Sequence, residues 1–534
     1  MATMTAAATT AARTAAAAAA SVVATSAAST SSPQNDVQAG GEHTLCWQAA
    51  TAASRVVAHQ SQQAQDSRTA AHAGGHLYSA GRCGLGWHRG AEDDASDDSQ
   101  EGKQTPSPGF QPVPIPEPIS HYHAGYYHNL AVGAQTGTLY SWGCGTFPEG
   151  GMDGAIPALG LGPDAEDRGA DPQPVALQGQ GGGDGDVHVV DVAGGAYHSA
   201  VLLSSGEVLT FGAGQLGQLA RQPRYTDRSN LPVDPHPAPV QGLPQSSSSC
   251  SSKDKVVRVG GGFYNTFAIC QSGELYCAGE NQNQQCGTGP ANLTQMTLVD
   301  LRLGQNEEVT STNEAAAKDP AVEVAGGYCH TLVRTLAGKV LTLGCGDDGQ
   351  RGDGRLEIDD DVDDEEEKGD GSNNNPRLVV SNLDLPGQKR AVAVAAGANH
   401  SIVLGEDGVA YAFGANDLGQ CGITSGDVAS DVNVHNNADG NDDDDEDEEE
   451  STAIALPTPV QLPKGTGKVV QVSAGYAHTT LRTEEGRIFV FGQNSNGQLG
   501  IEKKEEVNNQ KSRSDGKDLD EPVVEPMEVL VGRL

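Results

Sequence analysis

The sequence predicts an all-β protein built by radial repetition. Three observations carry this prediction. One unit recurs seven times along the chain, each unit is made of short runs with strand alternation bounded by turn residues, and helical periodicity is almost absent. Repeats of about 50 residues that cannot each bury their own apolar face must stack on one another, and radial stacking of short sheets is one stable solution.

The clearest unit runs from Val469 to Gly500. Val470 and Val472 alternate with Val469 and Gln471, which is strand period. Gly475 allows a bend or a close approach that a Cβ would block. His478 opens a second strand, Glu485-Gly486 is a hairpin-type turn, and Ile488 to Phe491 form a third strand. Gly492 to Gly500 are a polar turn rich in Asn and Gly. The anchor is V-x-V-x-x-G-x-x-H, then a Gly eight residues on, then an aromatic–Gly pair. It recurs at Gly125/His128 with Trp142-Gly143, Gly195/His198 with Phe211-Gly212, and Gly397/His400 with Phe413-Gly414. At Gly327/His330 the closing pair is Leu343-Gly344, and after Gly262 the His is replaced by Asn265. The first unit is split: Gly40 and His43 begin it and Gly75 to Gly81 resume it.

These residues resemble the repeats of the regulator of chromosome condensation (RCC1) family. The match is best at Ala474 to Gly500, Ala396 to Gly422 and Ala193 to Leu219, and it runs from about Val37 to the C-terminus apart from insertions. The resemblance implies a seven-bladed β-propeller of RCC1-type repeats, interrupted by long disordered or acidic insertions.

Residues 1–35 are an Ala/Thr/Ser tail with Arg13 as its one basic residue and no acid. Such a segment cannot bury a core, and it shares the lack of acids, but not the Arg enrichment, of a transit peptide. Residues 36–534 read as one propeller domain with insertions near 48–73, 91–111, 355–374 and 426–453. Two of these are acid runs, Glu357 to Glu367 and Asp442 to Glu450, with nine carboxylates each; together they supply 18 of the formal net charge of −38. Blocks of this kind are normally solvated, and their functional reading is attraction of basic partners. No apolar run is long enough to span a bilayer. The ten cysteines show no C-x-x-C spacing, so neither a zinc site nor a disulfide framework is expected, and a reducing compartment, cytoplasm or nucleus, is the default, with organelle import as the alternative the tail allows.

Each later unit is preceded by a short Pro-and-Val segment, such as Pro172 to Val175 and Pro457 to Val460, read as the outermost strand of a blade because Pro tolerates only sheet edges. The first unit has none before it, and the C-terminus has one to spare. The expectation is that the C-terminal strand, 525–531, pairs with the first blade and closes the ring by exchange between the chain ends.

The recurring His residues are His43, His128, His198, His330, His400 and His478, with Asn265 at the seventh place. One per unit, they would not converge on a metal or an acid–base site, so they are read as hydrogen-bonding struts inside each blade. Metal ligands, cofactors and catalytic residues are not expected, and no nucleophile, zincin or phosphate-loop motif appears. After Trp142-Gly143 the chain makes an extended excursion. The family resemblance implies that such an element can act as a wedge on a small GTPase; here Phe147, Asp153, Gly154, Ile156 and Leu159 are its candidates, although Pro148 and Pro157 depart from a simple hairpin. The resemblance thus implies a protein partner, with guanine-nucleotide exchange on a Ran-type GTPase as one reading and an interaction platform without exchange as the alternative. An inhibitor presenting its loops is a third. Direct DNA binding is not expected from a strongly acidic chain lacking a basic arm, and a monomer is expected.

Overall fold

The computed structural model describes residues 36–39, 43–49, 75–81, 110–143, 157–162, 171–177, 187–227, 230–244, 255–301, 319–356, 380–424, 453–501 and 522–529. The acid runs and most of the expected insertions lie outside these residues. Among them the chain is β-strand throughout, with one short 3-10 turn at Pro157–Leu159, and the strands form seven antiparallel blades. No helix among them is long and apolar enough to cross a membrane.

The last blade shows the plan. Its strands are Val469–Ala474, His478–Thr483, Ile488–Gly492 and Val523–Val529, each paired with its sequence neighbour. The register sets His478 opposite Gly492 and Leu481 opposite Phe489. The central two strands of each blade are buried on both faces, which is why they carry Leu, Val, Ile and Phe at consecutive positions rather than alternating. Their side chains interleave between blades: Leu332 and Val340 of blade five, Ile402 and Phe413 of blade six, and Leu481, Phe489 and Phe491 of blade seven form one continuous cluster. Each such side chain contributes about 2 kcal/mol when fully buried.

The aromatic–Gly pair has a steric cause. Gly492 sits at φ 105°, and a Cβ there would lie 2.4 Å from the carbonyl oxygen of Ala477. The same clash recurs at Gly212 and Gly414. Glycine is required where the third strand ends because the preceding turn passes directly over it.

Two expectations are corrected. The Pro-and-Val segment is the outer strand of the blade before it. Gln173–Pro174 pairs with Leu139–Gly143, and Ile454–Pro459 pairs with Ala410–Gly414. The C-terminal strand therefore belongs to blade seven, where Val529 faces Ile488 and the Glu528 carboxylate forks onto Arg487 at 2.9 and 2.7 Å. It does not pair with the first blade, whose own outer strand is Gln111–Pro112. The ring closes by face packing: Ile488, Val490 and Leu499 meet Cys46 and Tyr78. The Ala39 amide also donates to Ser473 Oγ across the seam at 3.0 Å.

The second correction concerns cysteine. Cys277–Cys286 and Cys329–Cys345 are disulfides, each with Cα atoms 5.6 Å apart. In the second pair the Cys345 amide donates to the Cys329 carbonyl, so the end of the third strand lies against the turn before the second.

Candidate functional site

The functional geometry is built where the innermost strands end. In the Gly-x-x-His or Gly-x-x-Asn turns of blades two to six, the amide of the first x donates to a carbonyl of the next blade. Tyr126 donates to Gly195, Ala196 to Phe263, Phe263 to Gly327, Tyr328 to Ala398 and Ala398 to Tyr476, at 2.9–3.1 Å. A belt of backbone hydrogen bonds thus runs around the axis from blade two to blade seven.

A second belt lies behind it and is made by the recurring His. The Nε2 of His128 meets Ser199 Oγ at 2.7 Å, that of His330 meets Ser401 Oγ at 2.9 Å, that of His400 meets Thr479 Oγ1 at 2.9 Å, and that of His478 meets Thr44 Oγ1 at 3.1 Å. His198 reaches the Asn265 carbonyl at 3.2 Å. Each partner belongs to the following blade. The struts therefore tie blades together, whereas the sequence reading placed them within blades. Ser199, Ser401 and Thr479 spend their own hydrogens on the carbonyls of Ala158, Gln350 and Gln420. That leaves Nε2–H of the facing His as the donor and fixes its tautomer. Burial pushes His198 down to about 4, and His330 and His400 to about 3, so these rings are neutral. The Gly three residues before is a close-approach position: a Cβ on Gly397 would lie 2.1 Å from the His400 ring. Asn265 differs. Its Nδ2 turns into its own blade and donates to the Glu280 carbonyl at 2.6 Å. His43 opens the second strand of blade one, with its backbone opposite Gly81.

The turn side chains converge into an aromatic cluster. The Tyr126 and Phe263 ring centres are 4.6 Å apart, those of Phe263 and Tyr328 4.9 Å, and those of Tyr126 and Tyr476 6.4 Å; Tyr127 stacks on Tyr197 at 5.1 Å. Phe263 and Tyr126 are buried at its base, while Tyr328 and Tyr476 remain 43% exposed. Glu280 stands beside this cluster: its charge helps raise both Tyr264 and Tyr328 after burial has done so, and burial raises Glu280 itself. Asp347, Asp348 and Asp417 form a second acidic group, and Asp348 is pushed up by burial and then by its two neighbours. Sequence reasoning did not pick out these aromatics. The available signal was compositional, because the six described turns hold seven of the chain's 23 aromatic residues in twelve positions.

Of the wedge candidates, Phe147, Asp153, Gly154 and Ile156 lie outside the described residues. Leu159 is fully buried and holds the place that Leu499 holds in the last blade, so it is a core residue and is not available for contact. Among the described residues no group of three or more His, Cys, Asp or Glu is placed to hold a metal.

A ring of antiparallel blades, of which blades two, five, six and seven are each strapped to the next by a buried His and a hydroxyl, defines a repeat propeller of one particular construction. The chain belongs to the RCC1-like domain family: the model of that domain matches residues 21–435, and models of the regulator of chromosome condensation repeat match 407–481 and 469–498. The chain is 26% identical to the ultraviolet-B receptor UVR8 of Arabidopsis thaliana over 78% of its own length and 74% of the receptor's. It is 36% identical to the regulator of chromosome condensation of Xenopus laevis, over 32% of this chain and 30% of that one. Against the probable E3 ubiquitin-protein ligase HERC6 of Homo sapiens the match is 26% and spans 24% of the ligase. The crystal structure of Prp20p from Saccharomyces cerevisiae superposes with a TM-score of 0.55 at 18% identity, covering 78% of this chain and 77% of that one. Human WBSCR16 gives 0.53 at 19%, covering 80% and 86%. These two likenesses show the fold.

Proposed function

We propose that this chain is a docking propeller that makes and breaks no bonds, and that its partner is a small GTPase of the Ran class, engaged by residues 144–156. One observation carries this reading. In sequence, Leu159 follows Gly143 by 16 positions, whereas the corresponding Leu499 follows Gly492 by 7. The longer stretch ends at a point held by two hydroxyls: Ser141 Oγ donates to the Leu159 carbonyl at 2.6 Å and Ser199 Oγ to that of Ala158 at 2.8 Å. A wedge on residues 144–156 would have fixed ends, one in the third strand of blade two and one at Ala158 and Leu159. The stretch shared with the Xenopus regulator, and the description of Prp20p together with its binding to Gsp1p and histones, support the same partner class. Exchange would then be competition: a wedge that favours the nucleotide-free GTPase loosens the nucleotide, with no proton transfer.

The test is release of a fluorescent guanine nucleotide from the GTPase. Replacing Phe147, Asp153 and Ile156 together by Ala should abolish release while the melting temperature is kept. Unchanged release removes the wedge assignment. A second reading, an interaction platform without exchange, is favoured by the breadth of the match to the ultraviolet-B receptor, 78% of this chain against 32% for the Xenopus regulator. Binding of nucleotide-free GTPase without faster release, or no binding of any GTPase, selects it.

A further inference from the structure

We infer that the axial mouth of the propeller is a binding site for a cationic side chain, Arg or Lys, presented by an extended segment of a partner protein. The inference rests on the docking reading but not on the GTPase, because it concerns a different surface.

Three features of the mouth converge on this ligand. The first is the pair of half-exposed rings, Tyr328 and Tyr476, above a buried base of Tyr126 and Phe263. Aromatic faces attract cations, and the attraction grows as the site is desolvated. The second is hydrogen-bonding capacity left over at the base. Tyr126 is 8% exposed, yet its hydroxyl has no hydrogen-bond partner among the described residues; the same holds for Glu280 Oε2. The Tyr126 ring lies 4.6 Å from that of Phe263 and 6.4 Å from that of Tyr476, so it belongs to this cluster. A buried acceptor without a donor is costly, and an N–H from outside would remove that cost.

The third is charge. The loops that follow the third strands lie beside the turns, since the Glu280 amide donates to the Tyr264 carbonyl and the Ala415 amide to that of Asn399. These loops bring Glu280, Asp347, Asp348 and Asp417 to the same end of the ring. Residues 213–220, 280–287, 345–350, 415–420 and 493–500, together with the six described turns, contain no Lys or Arg. Arg351, just beyond, is buried and paired with Asp353. A guanidinium or ammonium in the mouth would donate to Glu280 or to the Tyr126 hydroxyl and lay its stem on Tyr328 and Tyr476. An anionic or neutral peptide would gain neither.

The experiment uses the full chain and two labelled peptides of Gly and Ser that differ in one central residue, Arg or Gln; attraction of the Arg peptide to the acid runs alone would survive in the variants below. Fluorescence anisotropy should show the Arg peptide binding about tenfold more tightly. Glu280→Gln, and separately the pair Tyr328→Leu with Tyr476→Leu, should each remove that preference while the melting temperature holds. Equal affinity for both peptides overturns the inference, and so does a preference that survives in either folded variant. Should the tyrosine pair fail to fold, the isosteric Glu280→Gln decides alone. None of these outcomes bears on nucleotide release.

Discussion

The boundary between blades six and seven and the boundary between blades four and five solve one problem differently. At the first, His400 donates across to Thr479 Oγ1, and that hydroxyl donates back to the Gln420 carbonyl. At the second, the residue in the histidine's place is Asn265, and it bonds inside its own blade. Blade five still sends Thr331 Oγ1 back to the Gln285 carbonyl at 2.8 Å, and the backbone bond from Phe263 to Gly327 is kept. The missing strut coincides with two disulfides, one within each blade. The difference teaches that the strut is replaceable. Where it goes between blades it sets their spacing, and where it turns inward it positions a loop, here the one that carries Glu280.

His400→Ala should have the largest effect on this contrast, lowering stability by about 3 kcal/mol, since it opens a cavity and leaves the Thr479 hydroxyl without a donor. Chemical denaturation measures it; a loss below 1 kcal/mol would show that the strut does not hold the boundary. Reduction of the disulfides should come next. Each closes a short loop and should be worth up to about 3 kcal/mol. Hydrogen exchange should then rise in blades four and five and stay level in blades six and seven; a uniform rise would contradict the local role given to them.

Acid should act on the strutted boundaries. His198, His330 and His400 are neutral and buried, with pKa values lowered from 6.5 to about 4, 3 and 3. The unfolded chain binds protons at these sites below about 6.5, while the folded chain does so only near 3 to 4. Their contribution is therefore complete above about 6.5 and is lost as the pH falls from there toward about 3. Melting temperatures at a series of pH values should show the decline, and His400→Asn should make it shallower. An unaltered slope in that variant would remove His400 from the account. The smallest stability change is expected for Asn265→Ala, about 1 kcal/mol. This variant should nevertheless weaken the peptide binding described above, because Glu280 loses the bond that sets its backbone. A large stability loss with full peptide affinity would reverse the two roles.

Much of this was legible in the sequence. Seven units, three strands in each and the glycine at each strand end follow from the spacing of Gly, His and aromatic residues. The ownership of the outer strand was not legible, because a segment such as Pro457 to Val460 lies between two units and its spacing does not say which blade it completes. The direction of the struts was hidden because four of the His partners are ordinary Ser or Thr residues one position after the next His, as with Ser401 and Thr479, and the partner of His198 is a backbone carbonyl. The aromatic mouth was hidden because its members vary from Tyr-Tyr at 126–127 to Ala-Asn at 398–399, and the axis gathers them where no alignment of units would.

The seam between blades one and seven has a consequence for chain connectivity. Each blade completes its sheet from consecutive residues, and among the described residues the seam is held by side-chain packing and by hydrogen bonds that include Ala39 to Ser473 and His478 to Thr44. No strand depends on where the polypeptide starts. A circular permutant, with residues 1 and 534 joined and new ends placed in an interblade connection such as 384–390, keeps every sheet intact. The order in which the blades are strung together is thus a property of the gene, and the ring would assemble from any starting point on it.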